Sequence, residues 1–315
     1  MHVAEAAAGG RARDKSMKSI DHANLLVKPG CNVNLADFDT SSTHGFRHKD
    51  DASDKLSSDI KRLSELQEIF YASRRHALLI VLQGTDSAGK DGAIKHVMTG
   101  VNPQGVDVHS FKVPSTTELA HDYLWRTTKV LPERGRIAIF NRSYYAEVVV
   151  VRIHGSVLEN EQLPPGSDAN PAIWRDRYED INAFERHMSR NGTLILKFFL
   201  HLSKDEQRKR LLDRVDNPDK QWKLSAGDIH ERKFWDSYQR AYAQSLSSTS
   251  TQWAPWYIIP ADHKWFARVA IAGVIVAELE ALNLKYPVVS DEQRANLSAI
   301  RKELEERDPV PAIPA

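Results

Sequence analysis

Leu78-Leu79-Ile80-Val81-Leu82-Gln83-Gly84-Thr85-Asp86-Ser87-Ala88-Gly89-Lys90-Asp91-Gly92 is an apolar run that breaks into a glycine-flanked loop carrying one lysine. Leu78 to Leu82 is too short for a typical helix and is bounded by a turn signal, which predicts a buried parallel strand. Gly84 and Gly89 let the backbone turn its N–H groups inward, and Lys90 reaches phosphoryl oxygens from the start of the next helix. The predicted phosphate cradle is Gly84, Ser87, Ala88, Gly89, Lys90 and Asp91. Its spacing satisfies G-x-x-x-x-G-K, with Asp91 where a Ser or Thr ordinarily holds magnesium.

The missing hydroxyl transfers the metal question to Asp86. A carboxylate inside an anion-binding loop would repel its ligand unless a divalent cation lay between them, and carboxylate plus phosphate oxygens suit magnesium. The alternative is an N-cap for the helix that follows, since Asp is favoured there.

Composition narrows the class. The 315 residues are 41% hydrophobic, enough for one large core or two smaller ones. A formal net charge of +1 gives no global argument for binding nucleic acid or a membrane, so any anion site is local. Cys31 has no intramolecular partner for a disulfide, and neither a zinc-ligand spacing nor His-Glu-x-x-His occurs. The longest apolar candidate, Val269 to Leu282, contains Glu278 and Glu280 and reads as a core helix rather than a membrane span. Ala6 to Gly10, followed by Arg11, Arg13 and Lys15, lacks the apolar stretch of a secretory signal, so a cytoplasmic location is expected.

Three regions follow from the pass along the chain: an irregular arm over 1–50, a central body over 51–288, and a helical tail over 289–315. The start of the arm is expected to be mobile and the rest to pack on the body. Leu56, Ile60, Leu63, Leu66 and Phe70 recur at helical spacing ahead of the first strand. A helix from Asp91 to Gly100, a strand from Val106 to Phe111 and a helix from Thr116 to Leu131, ended by Pro132, come next. Further strands are predicted at Ile137–Phe140, Leu194–Leu202 and Trp256–Ile259. Strands separated by helices imply a mainly parallel, five-stranded α/β sheet covered on both faces, with ligands beyond the carboxyl ends of its strands.

The strand at Ile137 runs into Asn141-Arg142-Ser143-Tyr144-Tyr145-Ala146-Glu147. A P-loop kinase places a metal-holding carboxylate there, whereas Asn141 is neutral, leaving that work to Asp86 and, as a second candidate, Glu147. Glu147 reads equally as a solvated helix residue. Arg142 is a planar donor fork suited to phosphate, its alternative being a pair with a surface acid. Lys112 follows the second strand onto the same edge and is a further phosphate candidate.

Ser203 and Glu206 form a capping-box signature before a helix in which Lys204 and Arg208, and Arg210 and Arg214, stand four apart. With Lys220, Lys223, Arg232 and Lys233 this segment, about 204–235, looks like a helical flap able to close over phosphates. The intervening acids also fit a solvated, ion-paired helix. Trp222, Trp253, Trp256 and Trp265 are expected to pack rather than stack on a base.

Residues 82–92, Ile139-Phe140-Asn141-Arg142-Ser143-Tyr144-Tyr145, Asp216-Asn217-Pro218-Asp219-Lys220-Gln221-Trp222-Lys223 and Trp253-Ala254-Pro255-Trp256-Tyr257-Ile258-Ile259-Pro260-Ala261-Asp262 resemble, in this order, the motifs of the polyphosphate kinase 2 family. The resemblance covers about residues 25 to 285. It implies a P-loop kinase fold like that of thymidylate kinase, with a helical lid. It also implies magnesium-dependent phosphoryl transfer between inorganic polyphosphate and nucleotides, with Mn2+ as a substitute metal. Asp86 and Lys90 take the positions of the family's catalytic Asp and Lys, and Arg142 that of its arginine after the third strand. Arg208 and Arg210 take the positions of its lid arginines, and Lys223 lies in its lid motif.

Family members commonly carry Asp where this chain has Asn141. The Asn form resembles the subgroup that accepts both nucleoside mono- and diphosphates, with Asn141 and Glu147 as its markers. AMP and ADP are then the expected substrates, with GMP and GDP as further candidates, and a homo-oligomer, dimer or tetramer, is expected. The competing readings are an ATP-dependent nucleotide kinase and a non-catalytic protein that binds polyphosphate or nucleotide.

Overall fold

The computed structural model describes residues 20–167 and 170–307, so the start of the arm lies outside the described residues. In chain order the arm contributes β1 (Leu26–Val27), followed by α1 (Lys49–Ser73), β2 (Ala77–Gln83), α2 (Lys90–Val97) and β3 (Val106–Ser110). Then come α3 (Thr116–Leu119), α4 (Trp125–Thr128), β4 (Ile137–Asn141), α5 (Ala146–Ile153), α6 (Gly155–Glu159), α7 (Ile173–Arg190) and β5 (Thr193–His201). The chain continues through α8 (Lys204–Asp216), α9 (Pro218–Gln221), α10 (Ala226–Glu231), α11 (Trp235–Thr249), β6 (Trp256–Pro260), α12 (Lys264–Ala281) and α13 (Asp291–Arg307).

The sheet has the order β1-β6-β5-β2-β4-β3. All pairings are parallel except β1 with β6, which is antiparallel. β2 is central and buried along its whole length, as its uninterrupted apolar run requires. β3 and β4 lie on one side of it and β5 and β6 on the other, which opens a crevice beyond its carboxyl end where such sheets bind ligands.

The sheet carries one strand more than its sequence predicts. Leu26 and Val27 are too few to show a period, and they become a strand only because the edge of β6 offers Tyr257 and Trp256 as partners. The arm is also tied down by Ser250 Oγ donating to the Val27 carbonyl and Thr40 Oγ1 donating to Asp262.

A second difference lies at residues 116–131, where α3 and α4 replace one continuous helix. Glu118 closes a capping box with Ser115, and Asp122 accepts from the Leu124 N–H, so that a fresh turn starts where the helix was expected to continue.

Two cores flank the sheet. One lies under α1, α2 and α12 and includes Leu63, Phe70, Ile80, Phe198 and Ile275. The other lies under α5, α7 and α11 and includes Val81, Phe140, Tyr145, Ile181 and Leu246. α12 is the apolar segment read as a core helix, and no helix among the described residues is long and apolar enough to cross a membrane.

Candidate active site

The turn after β2 is built by close approach. Gly84 adopts φ 149°, and a Cβ there would stand 2.9 Å from the Leu200 carbonyl oxygen, so no larger residue fits beside β5. Gly89 caps α2 at φ 107°, and Ser87 takes a left-handed φ of 66°. Asp86 therefore does not cap the helix. Its carboxylate instead accepts from Arg142 Nη2 at 2.8 Å, and Arg142 is itself held at φ 62° at the end of β4. A backbone held in that sparsely populated region beside the loop aims the guanidinium across it.

Lys90 is buried, with its ammonium donating to the carbonyls of Gly84 (2.8 Å) and Thr85 (3.2 Å). Burial pushes its pKa down to about 8, with Asp86 opposing and Arg142 adding to the fall. Two hydroxyls of the loop, Thr85 Oγ1 and Ser87 Oγ, are buried with no hydrogen-bond partner. Oriented donors around a buried lysine suit a phosphoryl group.

The two departures from the usual kinase pattern meet each other. Asn141 Nδ2 donates to Asp91 Oδ1 at 2.6 Å, so the Asp91 side chain faces the end of β4 while its backbone opens α2. As to metal, no cluster of three or more His, Cys, Asp or Glu side chains occurs among the described residues. Magnesium fits nonetheless, since it takes most of its ligands from phosphates and water and needs few carboxylates. Asp86, with one oxygen on Arg142, beside the two unpartnered hydroxyls, is the carboxylate that could hold it.

Glu147 does not join that set. It is buried against Arg126 Nη2 (3.4 Å) and Arg177 Nη1 (3.9 Å), with Glu161 also paired to Arg177. Burial, then the Glu161 charge, push its pKa up to about 7 against the pull of the two arginines. It is not the solvated residue of the second reading, because α4, α7 and the 160s loop deliver those groups around it. Its side chain lines a cavity of about 310 Å³ that also touches Gly84, Thr85, Asp86, Arg142 and Lys112. Phe111, Tyr123, Trp235, Tyr238 and Tyr242 give this cavity aromatic walls.

The lid requires a larger correction. Arg210 is buried and its guanidinium is fully used: Nε donates to Glu206 at 2.9 Å, and Nη1 donates to the carbonyls of Ser87 and Ala88 at 3.0 Å each. Nη2 donates to the carbonyls of Ala261 (2.6 Å) and Asp262 (3.0 Å). With all five donors engaged, Arg210 holds the loop's shape and has none left for phosphate. Arg210→Ala is expected to cost about 2–4 kcal/mol, from several charge-assisted bonds lost at once, and to lower activity with it. Denaturant unfolding at wild-type stability would refute this strut.

Arg208 is exposed on α8 and makes no hydrogen bond or ion pair among the described residues. Lys223 sits over the Trp222 ring at 4.9 Å. Trp222 itself is 78% exposed on the lid, unlike the packed Trp256. The Ser203 hydroxyl caps α8 as expected, but the Glu206 carboxylate turns to Arg210 and not back to the cap.

Sequence reasoning placed Arg232 among the lid cations but missed Gln207, whose Nε2 donates to the Asp86 carbonyl at 3.0 Å; Arg232 donates to Gln207 Oε1 and the Lys204 carbonyl at 2.7 Å each. The Gln207 bond ties the lid to the loop across more than a hundred residues, the Arg232 bonds brace Gln207 from within the lid, and no local pattern announces them.

Residues 47–287 match the model of the polyphosphate kinase 2 family. The chain belongs to that family. It is 49% identical, over 88% of its length and 96% of the relative's, to an ADP-polyphosphate phosphotransferase of Rhodopseudomonas palustris. It is 45% identical, over 83% of its length and 94% of the relative's, to an AMP/ADP-polyphosphate phosphotransferase of Meiothermus ruber. Among solved structures, polyphosphate kinase 2 from Arthrobacter aurescens TC1 superposes with a TM-score of 0.80 at 38% identity, covering 89% of this chain and 95% of that one. Membership in the polyphosphate kinase 2 family agrees with the P-loop α/β fold described above.

Proposed function

We propose that this protein transfers a phosphoryl group between inorganic polyphosphate and nucleoside mono- and diphosphates, converting AMP to ADP and ADP to ATP reversibly. The observation that carries this is the 2.8 Å contact between Asp86 and Arg142. It sets a metal-capable carboxylate and a phosphate-binding fork at the boundary between the phosphate loop and the aromatic-walled cavity. The family and the names of its relatives support polyphosphate as donor; the cavity suits the acceptor nucleotide, of which GDP and GMP are further candidates.

In this reading the loop and Lys90 hold the terminal phosphates of the donor, and Arg142 spans donor and acceptor. Catalysis is then positioning and charge neutralisation. Asp86 would hold magnesium, or manganese as substitute, and the bound metal would supply charge neutralisation. Gln207 and Arg210 fix the loop from the lid side. A cytoplasmic location and assembly into a dimer or tetramer belong to the same proposal.

The test is incubation of AMP and ADP separately with polyphosphate and magnesium, read by phosphorus NMR, with ATP as sole donor in parallel. ADP and then ATP formed from AMP are expected, and EDTA is expected to abolish transfer. Product from ADP alone would restrict the acceptor to diphosphates, and transfer from ATP alone would make the protein an ordinary nucleotide kinase.

Lys90 adds a pH dependence. Phosphate favours the charged ammonium, whose pKa without ligand is about 8. KM for polyphosphate is therefore expected to be flat below pH 8 and to rise above it, by up to about tenfold per pH unit. A flat profile from pH 7 to 9.5 would remove Lys90 from donor binding.

A further inference from the structure

The N-terminal arm reaches the phosphate loop through one carboxylate. Asp262, just past the end of β6, accepts at Oδ2 from the Thr40 hydroxyl (2.8 Å) and at Oδ1 from the Ser203 backbone N–H (2.8 Å). Its own N–H donates to the Thr40 carbonyl at 3.0 Å, and its carbonyl accepts from Arg210 Nη2 at 3.0 Å. Thr40 precedes it by 222 positions, so the contact is purely tertiary. A second tie from the arm lies close by, where His201 Nε2 donates to the Leu35 carbonyl at 3.1 Å.

Ser203 is the N-cap of α8, so the bond from its N–H to Asp262 fixes where that helix starts. α8 then delivers Glu206 to Arg210 Nε, Gln207 to the Asp86 carbonyl, and Arg210 to the carbonyls of Ser87 and Ala88. The backbone of the loop from Asp86 to Ala88 is thus held from α8, and Asp262 holds both the start of α8 and the far side of the Arg210 guanidinium. Leu202 and Ala261, the neighbours of Ser203 and Asp262, are buried, which makes this link stiff. Thr40, Ser203, Arg210 and Asp262 do not line the acceptor cavity.

We propose that Asp262 is a positioning residue for phosphoryl transfer, acting through Ser203 and Arg210 on the loop that presents Asp86, and that Thr40 of the arm orients its carboxylate. The inference rests on the reading of Asp86 as the carboxylate at the reacting phosphates. Phosphoryl transfer depends on alignment, and a displacement of about 1 Å originating far from the chemistry can slow a reaction by about 10²-fold. The arm is then part of the transfer machinery although it lies outside both the phosphate loop and the cavity.

The test is steady-state phosphorylation of ADP by polyphosphate in Thr40→Val, Thr40→Ser, Asp262→Ala and the double variant Thr40→Val/Asp262→Ala, each assayed well below its melting temperature. Valine keeps the shape of threonine and removes only the hydroxyl, so Thr40→Val reads the link even if Asp262→Ala folds poorly. Thr40→Val is expected to lower kcat about threefold and Asp262→Ala about tenfold, with KM for ADP within about twofold of wild type because the cavity walls do not depend on this carboxylate. Thr40→Ser keeps the hydroxyl and is expected to retain the wild-type kcat. The double variant is expected to be no slower than Asp262→Ala, since the hydroxyl acts only through the carboxylate. Lowered melting temperatures with unchanged kcat would reduce both residues to struts of the fold and overturn the proposal. So would additive losses in the double variant, or a Thr40→Ser as slow as Thr40→Val. A wild-type protein that transfers nothing from polyphosphate would overturn the functional reading itself, before any variant is compared.

Discussion

Asp86→Asn is expected to lower kcat for ADP phosphorylation by polyphosphate about 10³-fold, equivalent to about 4 kcal/mol of transition-state stabilisation. The substitution keeps the shape of the side chain and removes its charge. That charge pairs with Arg142 at 2.8 Å and stands beside the unpartnered hydroxyls of Thr85 and Ser87. Without it the loop loses the carboxylate proposed to hold magnesium, and Arg142 loses the partner that aims it across the loop. Because Asp86 is partly exposed and its backbone carbonyl still accepts from Gln207, the fold should survive. Initial rates over a magnesium titration check this directly: kcat within tenfold of wild type at any metal concentration would remove Asp86 from the reaction.

The largest effect on stability is expected at Lys197, in the middle of β5 and wholly buried. Its ammonium donates to Glu185 (2.6 Å), the Tyr145 hydroxyl (2.7 Å) and the Thr249 carbonyl (2.8 Å). The other Glu185 oxygen accepts from both Tyr144 and Tyr145 at 2.8 Å. Burial pulls the Lys197 pKa down and Glu185 holds it up. Lys197→Met leaves a carboxylate buried without its counter-charge and is expected to cost about 3–5 kcal/mol. Adding Glu185→Gln removes that charge while keeping an acceptor for the two tyrosines, so the double variant is expected to be more stable than Lys197→Met alone. Urea unfolding of the three proteins decides it; a double variant less stable than the single would show that the buried charge is not the source of the loss. Since Tyr144 and Tyr145 lie two and three residues after Arg142, the single variant should also slow transfer by loosening the turn that aims it.

Legibility followed the range of the interactions. The run from Leu78 to Gly92 carries a buried strand, a turn and a helix start within fifteen consecutive positions, and the structure keeps β2, the loop and α2 where local rules put them. The strands at 137, 193 and 256 were readable for the same reason, each a short, mostly apolar run, and the one at 106 as a short β-prone segment. β1 was not, because two residues become a strand only against a neighbour. Nor was the break between α3 and α4, where side-chain caps from Glu118 and Asp122 compete with a helical pattern that continues past them.

The lid shows the limit most clearly. The spacing of Arg208, Arg210 and Arg214 identifies a basic helix but not the face that meets the loop. Packing turns Arg210 into the carbonyl cluster of residues 87, 88, 261 and 262 and leaves Arg214 with open donors. Glu147 is a parallel case, since its surroundings come from α4, α7 and the 160s loop.

By itself the amino-acid sequence determined the α/β class, the phosphate loop, the lysine within it and the family, since each is written in contiguous residues whose backbone preferences and apolar periods act locally. Only the tertiary structure decided which charged side chains remain free to meet a ligand. A cation's availability depends on the acids and carbonyls brought to it from distant segments, as Arg210 is filled by groups more than fifty and more than a hundred and twenty positions away while Lys264 and Arg268 make no hydrogen bond or ion pair among the described residues.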